Sequence, residues 1–349
     1  MGKLFRAISA EHRKLWYKRS NSIYFAVVTI LTLFVALYVW AVGSDSSVER
    51  MSIMNSRYAQ SAFAVDSYSD TNWGVELSED IEQWRGEITD LSVRLGELEG
   101  TRSHYTVSTE IRLLQKRVAT AEYMLENNIT PVSTKAYDSA IFCMWLMLPV
   151  VGFLALVASS DLFAGEFARG TITTVLPRPA TRIKQYTAKI VTSILYSSLL
   201  MLTVFAVSML ACGLFIGGTN GTYVGYVNEK IYVTTLSAHC GEVFLCFIAA
   251  LAVIVALCAA LGNLTRSRTV SAALPFALMC VSLFFGDSLG AIGNLVLGST
   301  LFSTLDLGAA LCFVPNFSGI SFTTCAISVG LHFLVFVICG YNFLKKDIT

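Results

Sequence analysis

Residues 23–42 read IYFAVVTILTLFVALYVWAV, an apolar stretch that contains no charged residue. A helix of about 20 such residues is long enough to cross the hydrocarbon core of a bilayer. Further uncharged apolar stretches occur at Ala140–Ser160, Ile190–Ile216, Val243–Leu261, Val270–Phe285 and Cys325–Leu344. The sequence therefore predicts an all-α polytopic membrane protein with six transmembrane helices.

The composition agrees with a chain that lies in lipid. It is 54% hydrophobic and 14% charged, whereas soluble domains have roughly 45–50% and 25%. The net charge of +1 gives no electrostatic reason to expect nucleic-acid binding. The nine cysteines lie in or beside the apolar stretches and form no CxxC pair, so we interpret them as buried apolar residues and expect no metal site.

The basic residues indicate the orientation in the membrane. They gather before the first apolar stretch, between Arg169 and Lys189, at Arg266 and Arg268, and at the C-terminal end. All of these segments fall on the same side of a six-helix arrangement, and short basic loops stay in the cytoplasm. We therefore expect a multi-pass membrane protein with both termini cytoplasmic.

Residues 1–20 are predicted to form a cytoplasmic amphipathic helix along the inner leaflet, ahead of transmembrane helix 1 at 21–43. Leu4, Ile8 and Leu15 share one arc of this helix, and most of its basic residues occupy the other. The alternative is a basic flank that only sets the topology.

Residues 44–138 are predicted to form an extracellular antiparallel helical hairpin between spans 1 and 2. Apolar residues recur three and four positions apart from Leu77 to Leu98 and again from Val107 to Leu125, which is typical of amphipathic helices that zip together. The stripe is either a packing core or part of a lid that faces a substrate or partner.

Residues 139–349 contain transmembrane helices 2–6, a cytoplasmic loop at 161–189 and a segment at 286–324. That last segment contains no basic residue, and a seventh span there would place the basic C-terminal tail outside. We expect external or re-entrant helices for it, which at membrane depth must be buried in protein.

The loop at 161–189 is the polar segment with the most information. Pro177 and Pro179 exclude a continuous helix, and Thr181 is suited to begin a new one. The segment is therefore predicted to be a short helix across the membrane face, a break, and then the third span.

In the same loop an acidic residue precedes a Gly-Thr pair, and Pro and Arg follow: these are Glu166, Gly170, Thr171, Pro177 and Arg182. This order resembles that of the loop in the ABC type-2 permease family. The N-terminal Glu11-His12-Arg13-Lys14-Leu15 and the tail at 343–348 are also similar to those of the family.

This resemblance implies the permease subunit of an ATP-binding cassette exporter in a bacterial plasma membrane. It implies a separate ATPase subunit that binds ATP and Mg, with no cofactor in this chain, and a second permease copy or paralogue. The residues implied to couple to the ATPase subunit are Glu166, Arg169, Gly170, Thr171, Pro177, Arg178 and Arg182. The alternative is a loop whose charges only set the topology.

The sequence contains no motif for nucleotide binding or metal-dependent hydrolysis. The chain lacks GxxxxGK[ST] and HExxH, which serve these two chemistries. We therefore expect a transporter subunit without an ATPase site of its own.

Ionisable residues near membrane depth are candidates for a substrate path, because they are costly to bury there. Glu242 and His332 are the candidates; the alternatives are an interfacial anchor for Glu242 and a hydrogen-bonded packing residue for His332. Two other classes remain open: a membrane sensor or scaffold whose hairpin binds a ligand or partner, and an ion-coupled transporter, for which repeats and midplane charges are lacking.

Overall fold

The computed structural model describes residues 2–44, 72–98, 102–132, 135–168, 179–217, 220–227, 230–293 and 322–346. Its elements in chain order are α1 (Gly2–Tyr17), α2 (Arg19–Ser44), α3 (Trp73–Glu97), α4 (Arg102–Glu126), α5 (Lys135–Phe163), α6 (Gly165–Ala168), α7 (Pro179–Phe215), β1 (Thr222–Val227), β2 (Lys230–Thr235), α8 (Leu236–Thr265), α9 (Arg268–Gly293) and α10 (Phe322–Lys346). Most of the chain is therefore helical, as the sequence predicts.

Five helices in the described part of the chain are long and apolar enough to cross a membrane. They include Arg19–Ala41, Ala136–Phe163, Arg182–Phe215, Leu236–Thr265 and Phe322–Asn342. The remaining predicted span lies in α9, whose apolar portion Arg268–Ser282 is shorter. The structure thus supports a polytopic membrane protein, with α9 as the helix that would make a sixth span.

Helix α8 is the centre of the bundle. It packs against α5, α7, α9 and α10, and 72% of its most apolar window is buried, against 11% for α10. Its buried residues include Phe247, Leu251 and Ile254, which share a core with Leu148 and Leu200 of the neighbouring helices. The outer helices expose apolar side chains, as expected when lipid is the solvent.

The boundary between α8 and α9 is a sharp reversal. Arg266 has a left-handed backbone with φ of 55°, and its N–H donates to the carbonyl of Gly262. The Ser267 hydroxyl then accepts from the N–H of Val270 at 3.5 Å, which caps the start of α9. This turn places Arg268 beside the end of α5.

Helices α3 and α4 pack against each other in opposite directions. One buried cluster combines the start of α3 with the end of α4, through Leu77, Ile81, Ala121 and Met124. A second combines the end of α3 with the start of α4, through Leu91, Val107, Ile111 and Leu114. The apolar stripes seen in the sequence therefore form the contact between these helices.

Strands β1 and β2 form an antiparallel hairpin that the all-α prediction did not include. Val224 pairs with Val233 and Gly225 with Tyr232, and a side chain at Gly225 would collide with the Tyr232 ring. Val224 is buried in the same cluster as Leu77 of α3. The segment is rich in aromatic and β-branched residues, which favour strands.

Candidate functional site

The polar side chains of the bundle gather where α5 ends and α7 and α9 begin. Glu166 of α6 is at the centre: its Oε2 lies 2.6 Å from Nζ of Lys189 in α7. Its Oε1 lies 3.4 Å from Nζ of Lys14 in α1. The side chains of Glu166 and Lys189 are each only 9% exposed, so this is a buried ion pair.

The end of α5 explains why Glu166 points inward. Phe163 and Ala164 are buried, and the chain continues through hydrogen bonds from Ala164 N to Ser160 O and from Ala168 N to Ala164 O. Burial of these apolar residues carries the single turn of α6 into the protein. The Glu166 carboxylate consequently faces α7 and not solvent.

A second ion-pair node lies one turn earlier, at Asp161. Its Oδ1 lies 3.1 Å from Nη1 of Arg268, and its Oδ2 accepts a hydrogen bond from Lys18. Arg268 also donates from Nη2 to the carbonyl of Gly165 at 3.3 Å. Asp161 therefore connects α5 to α9 and to the junction between α1 and α2.

Helix α1 is held at this junction by backbone contacts as well as charges. The Thr192 hydroxyl of α7 donates to the carbonyl of Ile8 at 3.4 Å, and the Tyr196 hydroxyl donates to the carbonyl of Asn21 at 3.0 Å. Trp16 stacks on Phe25 with ring centroids 5.2 Å apart. The N-terminal helix is thus packed onto α7.

Lys14 is charged in this environment. Burial alone would lower its pKa, but the hydrogen bond and charge of Glu11, 2.8 Å away, together with the charge of Glu166, outweigh burial and raise the pKa above its usual value. Because a carboxylate within about 4–6 Å favours an ammonium, Lys14 remains a cation at neutral pH.

Helix α10 is attached to the same end of the bundle. The Asn263 amide donates from Nδ2 to the carbonyl of Gly340 at 2.9 Å, and the Tyr186 hydroxyl donates to the carbonyl of Val337 at 3.1 Å. The first residues of α7 and the last turns of α8 and α10 therefore meet beside the Glu166 cluster.

The residues predicted for coupling are only partly covered by the structure. Glu166 is buried in the cluster, and Arg182 is half-buried in the first turns of α7. The predictions for Arg169, Gly170, Thr171, Pro177 and Arg178 lie outside the described residues. The same is true of 45–71 in the predicted external domain and of 294–321 in the predicted re-entrant segment.

Glu242 and His332 are both half-buried and are not brought together. Glu242 Oε2 lies 3.8 Å from His239 Nδ1, whereas His332 Nδ1 contacts its own helix at the Ser328 hydroxyl, 3.1 Å away. Asn263 of α8 contacts Gly340 of α10, and the two helices run in the same direction. Glu242 precedes Asn263 by many more residues than His332 precedes Gly340, so at about 1.5 Å per residue the two side chains are separated by roughly 20 Å along the helix axes.

The partners of Glu166 are not evident from the sequence. Lys14, Lys18, Lys189 and Arg268 were counted as basic residues that set the topology, without assignment to an acidic residue. The sequence does contain a pattern that indicates ion pairing. Asp161 and Glu166 are acidic residues shortly after a long apolar stretch, where burial of a carboxylate is costly unless it is paired. Among the described residues, no group of His, Cys, Asp and Glu side chains is arranged to hold a metal ion.

Long apolar helices, with their polar ends joined by ion pairs, define a multi-pass membrane protein. Residues 16–348 match the family model described as ABC-2 family transporter protein. The chain therefore belongs to the ABC-2 transporter family and is a membrane subunit of an ABC transporter. Members of this family are not themselves the ATPase, so membership implies a separate ATPase partner.

One relative was found among curated proteins. The chain is 25% identical over 259 residues to the protein YhcI of Bacillus subtilis (strain 168), which is described as uncharacterized. The match covers 65% of this chain and 74% of the relative. No solved structure matches the chain.

Proposed function

We propose that this chain is the permease subunit of an ABC exporter and that its ATPase partner drives it through the segment 161–189. The observation that carries the proposal is the buried ion pair between Glu166 of α6 and Lys189 of α7. Separating such a pair leaves a buried charge without compensation. A displacement of α6 by the ATPase subunit is therefore passed to α7.

The length of α7 suits it to carry this movement across the membrane. It contains 37 residues, or about 55 Å of helix, which exceeds the ~30 Å hydrocarbon core. It begins beside the Glu166 cluster and ends shortly before β1. A tilt of α7 at one end therefore moves the β-hairpin and the helical hairpin at its other end.

The orientation follows from the charges of the cluster. Lys14, Lys18, Lys189 and Arg268 all lie at one end of the bundle, and the positive-inside rule assigns that end to the cytoplasm. Both termini are then cytoplasmic, and α9 is the sixth span, since its 26 residues make about 39 Å of helix. Helices α3 and α4 with the β-hairpin form an extracellular unit.

In this arrangement Glu166 and the other loop residues have different roles. Glu166 holds α6 against α7, whereas Arg169, Gly170, Thr171, Pro177, Arg178 and Arg182 form the contact with the ATPase subunit. That subunit binds ATP and Mg, and a second copy of this chain or a paralogue completes the plasma-membrane complex.

Glu242 and His332 are proposed to lie along the path of the cargo. The extracellular unit acts as a lid above it, because the β-hairpin connects α7 directly to α8. A path lined by apolar, Ser and Thr side chains suits an amphipathic peptide or lipid-like cargo better than an ion.

A charge reversal in the loop tests this proposal. In the complex of this chain with its ATPase subunit, Arg182→Glu is expected to weaken subunit binding and to reduce permease-dependent ATP hydrolysis by about tenfold, the effect of losing one charge-assisted contact of 1.4 kcal/mol. Arg94 is an exposed residue of α3, at the end of the protein opposite the loop. The control Arg94→Glu makes the same change of charge there and is expected to leave ATP hydrolysis unchanged. Equal hydrolysis by wild type and Arg182→Glu would contradict the assignment of the loop.

A further inference from the structure

A cavity of about 410 Å³ opens between α1 and the end of α5, outside the buried Glu166–Lys189 pair. Its lining includes Arg13, Lys14, Tyr17, Asp161 and Glu166. The volume is within the range of roughly 300–1,000 Å³ that is typical of small-molecule sites. Residues 10, 13, 14 and 17 follow helical spacing, so one face of α1 forms a wall of the cavity.

The cavity carries surplus positive charge. The cations on its wall are Arg13, Lys14 and Lys18, against the carboxylates of Asp161 and Glu166. Arg268 and Lys189 pair with these carboxylates from behind, and Glu11 adds one carboxylate beside Lys14, so five cations stand against three carboxylates. The acidic side chains are therefore neutralised, and an anion is the ligand that the remaining charge favours.

Arg13 supplies the free cationic group. It is exposed and forms no ion pair with any residue in the part of the chain that the structure describes. Lys14 forms ion pairs with Glu11 and Glu166, but about half of its side chain remains exposed. A guanidinium beside an ammonium is a frequent phosphate-binding combination, since arginine donates two parallel hydrogen bonds to phosphate oxygens.

The setting of α1 indicates where the phosphate comes from. Trp16 and Tyr17 are 39% and 89% exposed, and Trp and Tyr side chains concentrate at the membrane interface. Just beyond α1, helix α2 exposes an apolar stripe that begins at Ile23 and continues to Phe34. A phospholipid has the matching chemistry, because its anionic head group can contact Arg13 while its acyl chains lie along this apolar stripe.

We propose that this cavity binds the phosphate of an anionic phospholipid of the cytoplasmic leaflet, through Arg13 and Lys14. Because Lys14 also contacts Glu166, a bound lipid steadies α1 against the coupling segment. The inference rests on the cytoplasmic placement of α1 in the proposed function, but it requires neither export nor an ATPase subunit.

The test uses the full-length chain in a neutral detergent, without the ATPase subunit. Binding of phosphatidylglycerol and phosphatidylcholine is measured by native mass spectrometry for wild type, Arg13→Gln and Arg6→Gln. Arg6 is an exposed arginine of the same helix that does not line the cavity, so it controls for overall charge. We expect wild type and Arg6→Gln to prefer phosphatidylglycerol and Arg13→Gln to bind it about tenfold less tightly, a change that corresponds to one lost charge-assisted contact.

Three results would overturn the proposal. Equal phosphatidylglycerol binding by wild type and Arg13→Gln excludes the site, and equal losses in both variants indicate diffuse attraction to a basic helix. Competition by sn-glycerol 3-phosphate at the same concentration as the lipid indicates a site for a soluble phosphate. Because the assay contains no ATPase subunit, its failure leaves the coupling proposal standing, and failure of coupling leaves the lipid result standing.

Discussion

Glu166 and Lys189 show how a buried charge is kept in an apolar bundle. The carboxylate accepts from Lys189 at 2.6 Å and lies 3.4 Å from Lys14, so the cations of two helices compensate one acid. Removal of one member of a buried pair is expensive because the other is left uncompensated. Exposed pairs, such as Arg85 with Glu82, gain far less because water screens them.

Lys189→Met is expected to lower the free energy of unfolding in detergent by about 3–5 kcal/mol, since Glu166 then remains buried without its closest cation. The double variant Glu166→Gln/Lys189→Met, which removes both charges, is expected to recover most of this loss. Glu82→Gln, which removes one member of the exposed pair, serves as a control without a measurable effect. A single Lys189→Met variant as stable as wild type would show that the pair does not hold α6 against α7.

At the scale of elements, the contact between α8 and α10 depends on a small residue. A side chain at Gly340 would meet the Tyr186 hydroxyl and would lie 3.1 Å from Cα of Ala260. Small residues at such contacts let membrane helices approach closely and gain packing energy. Gly330 of the same helix has nothing within 4 Å, so only one of these glycines is required by packing.

Gly340→Ala is expected to reduce the free energy of unfolding by about 1–3 kcal/mol, because the added methyl group pushes α10 away from α8. Gly330→Ala is expected to be neutral or to stabilise the helix by up to about 1 kcal/mol, as alanine favours helix over glycine. Thermal unfolding of both variants in the same detergent checks this. Equal behaviour of the two variants would mean that α8 and α10 are not in close contact.

The helical hairpin and the β-hairpin share a core, so a buried charge there should disrupt both. Leu77 is fully buried in that core, whereas Val75 on the same helix is 61% exposed. Leu77→Asp is expected to cost about 3 kcal/mol or more and to open β1 and β2 to protease, since it buries an unpaired carboxylate and removes a large apolar side chain. Val75→Asp should leave the protease pattern of wild type, and protection of the Leu77→Asp variant would contradict the shared core.

The elements also show what sequence reasoning is able to predict. The spans and the stripes of α3 and α4 depend on the periodicity and length of apolar stretches, which are local properties of the chain. The β-hairpin was missed because it is stabilised by burial of Val224 against α3 and α4, a contact between distant segments. The pairing of Glu166 with Lys14 spans 152 positions, so no local pattern contains it.

At the scale of the whole molecule, the charged cluster and the paired hairpins lie at opposite ends of α7. From the positive-inside rule we propose that the cluster faces the cytoplasm. A membrane-impermeant maleimide on intact cells tests this directly, because the native cysteines of the described residues are buried or half-buried. Gly86→Cys, on exposed α3, is expected to react, and Lys184→Cys, on the first turns of α7, only after the cells are opened. The reverse pattern would invert the proposed orientation.

A separate ATPase subunit is proposed to act on this chain. Affinity purification of the full-length chain from its native membrane, followed by identification of the bound proteins and an ATPase assay, tests this. We expect a stoichiometric nucleotide-binding subunit whose ATP hydrolysis depends on this chain. An intact, folded chain that purifies without such a subunit would contradict this and would favour a sensor or scaffold role centred on the helical hairpin and the β-hairpin.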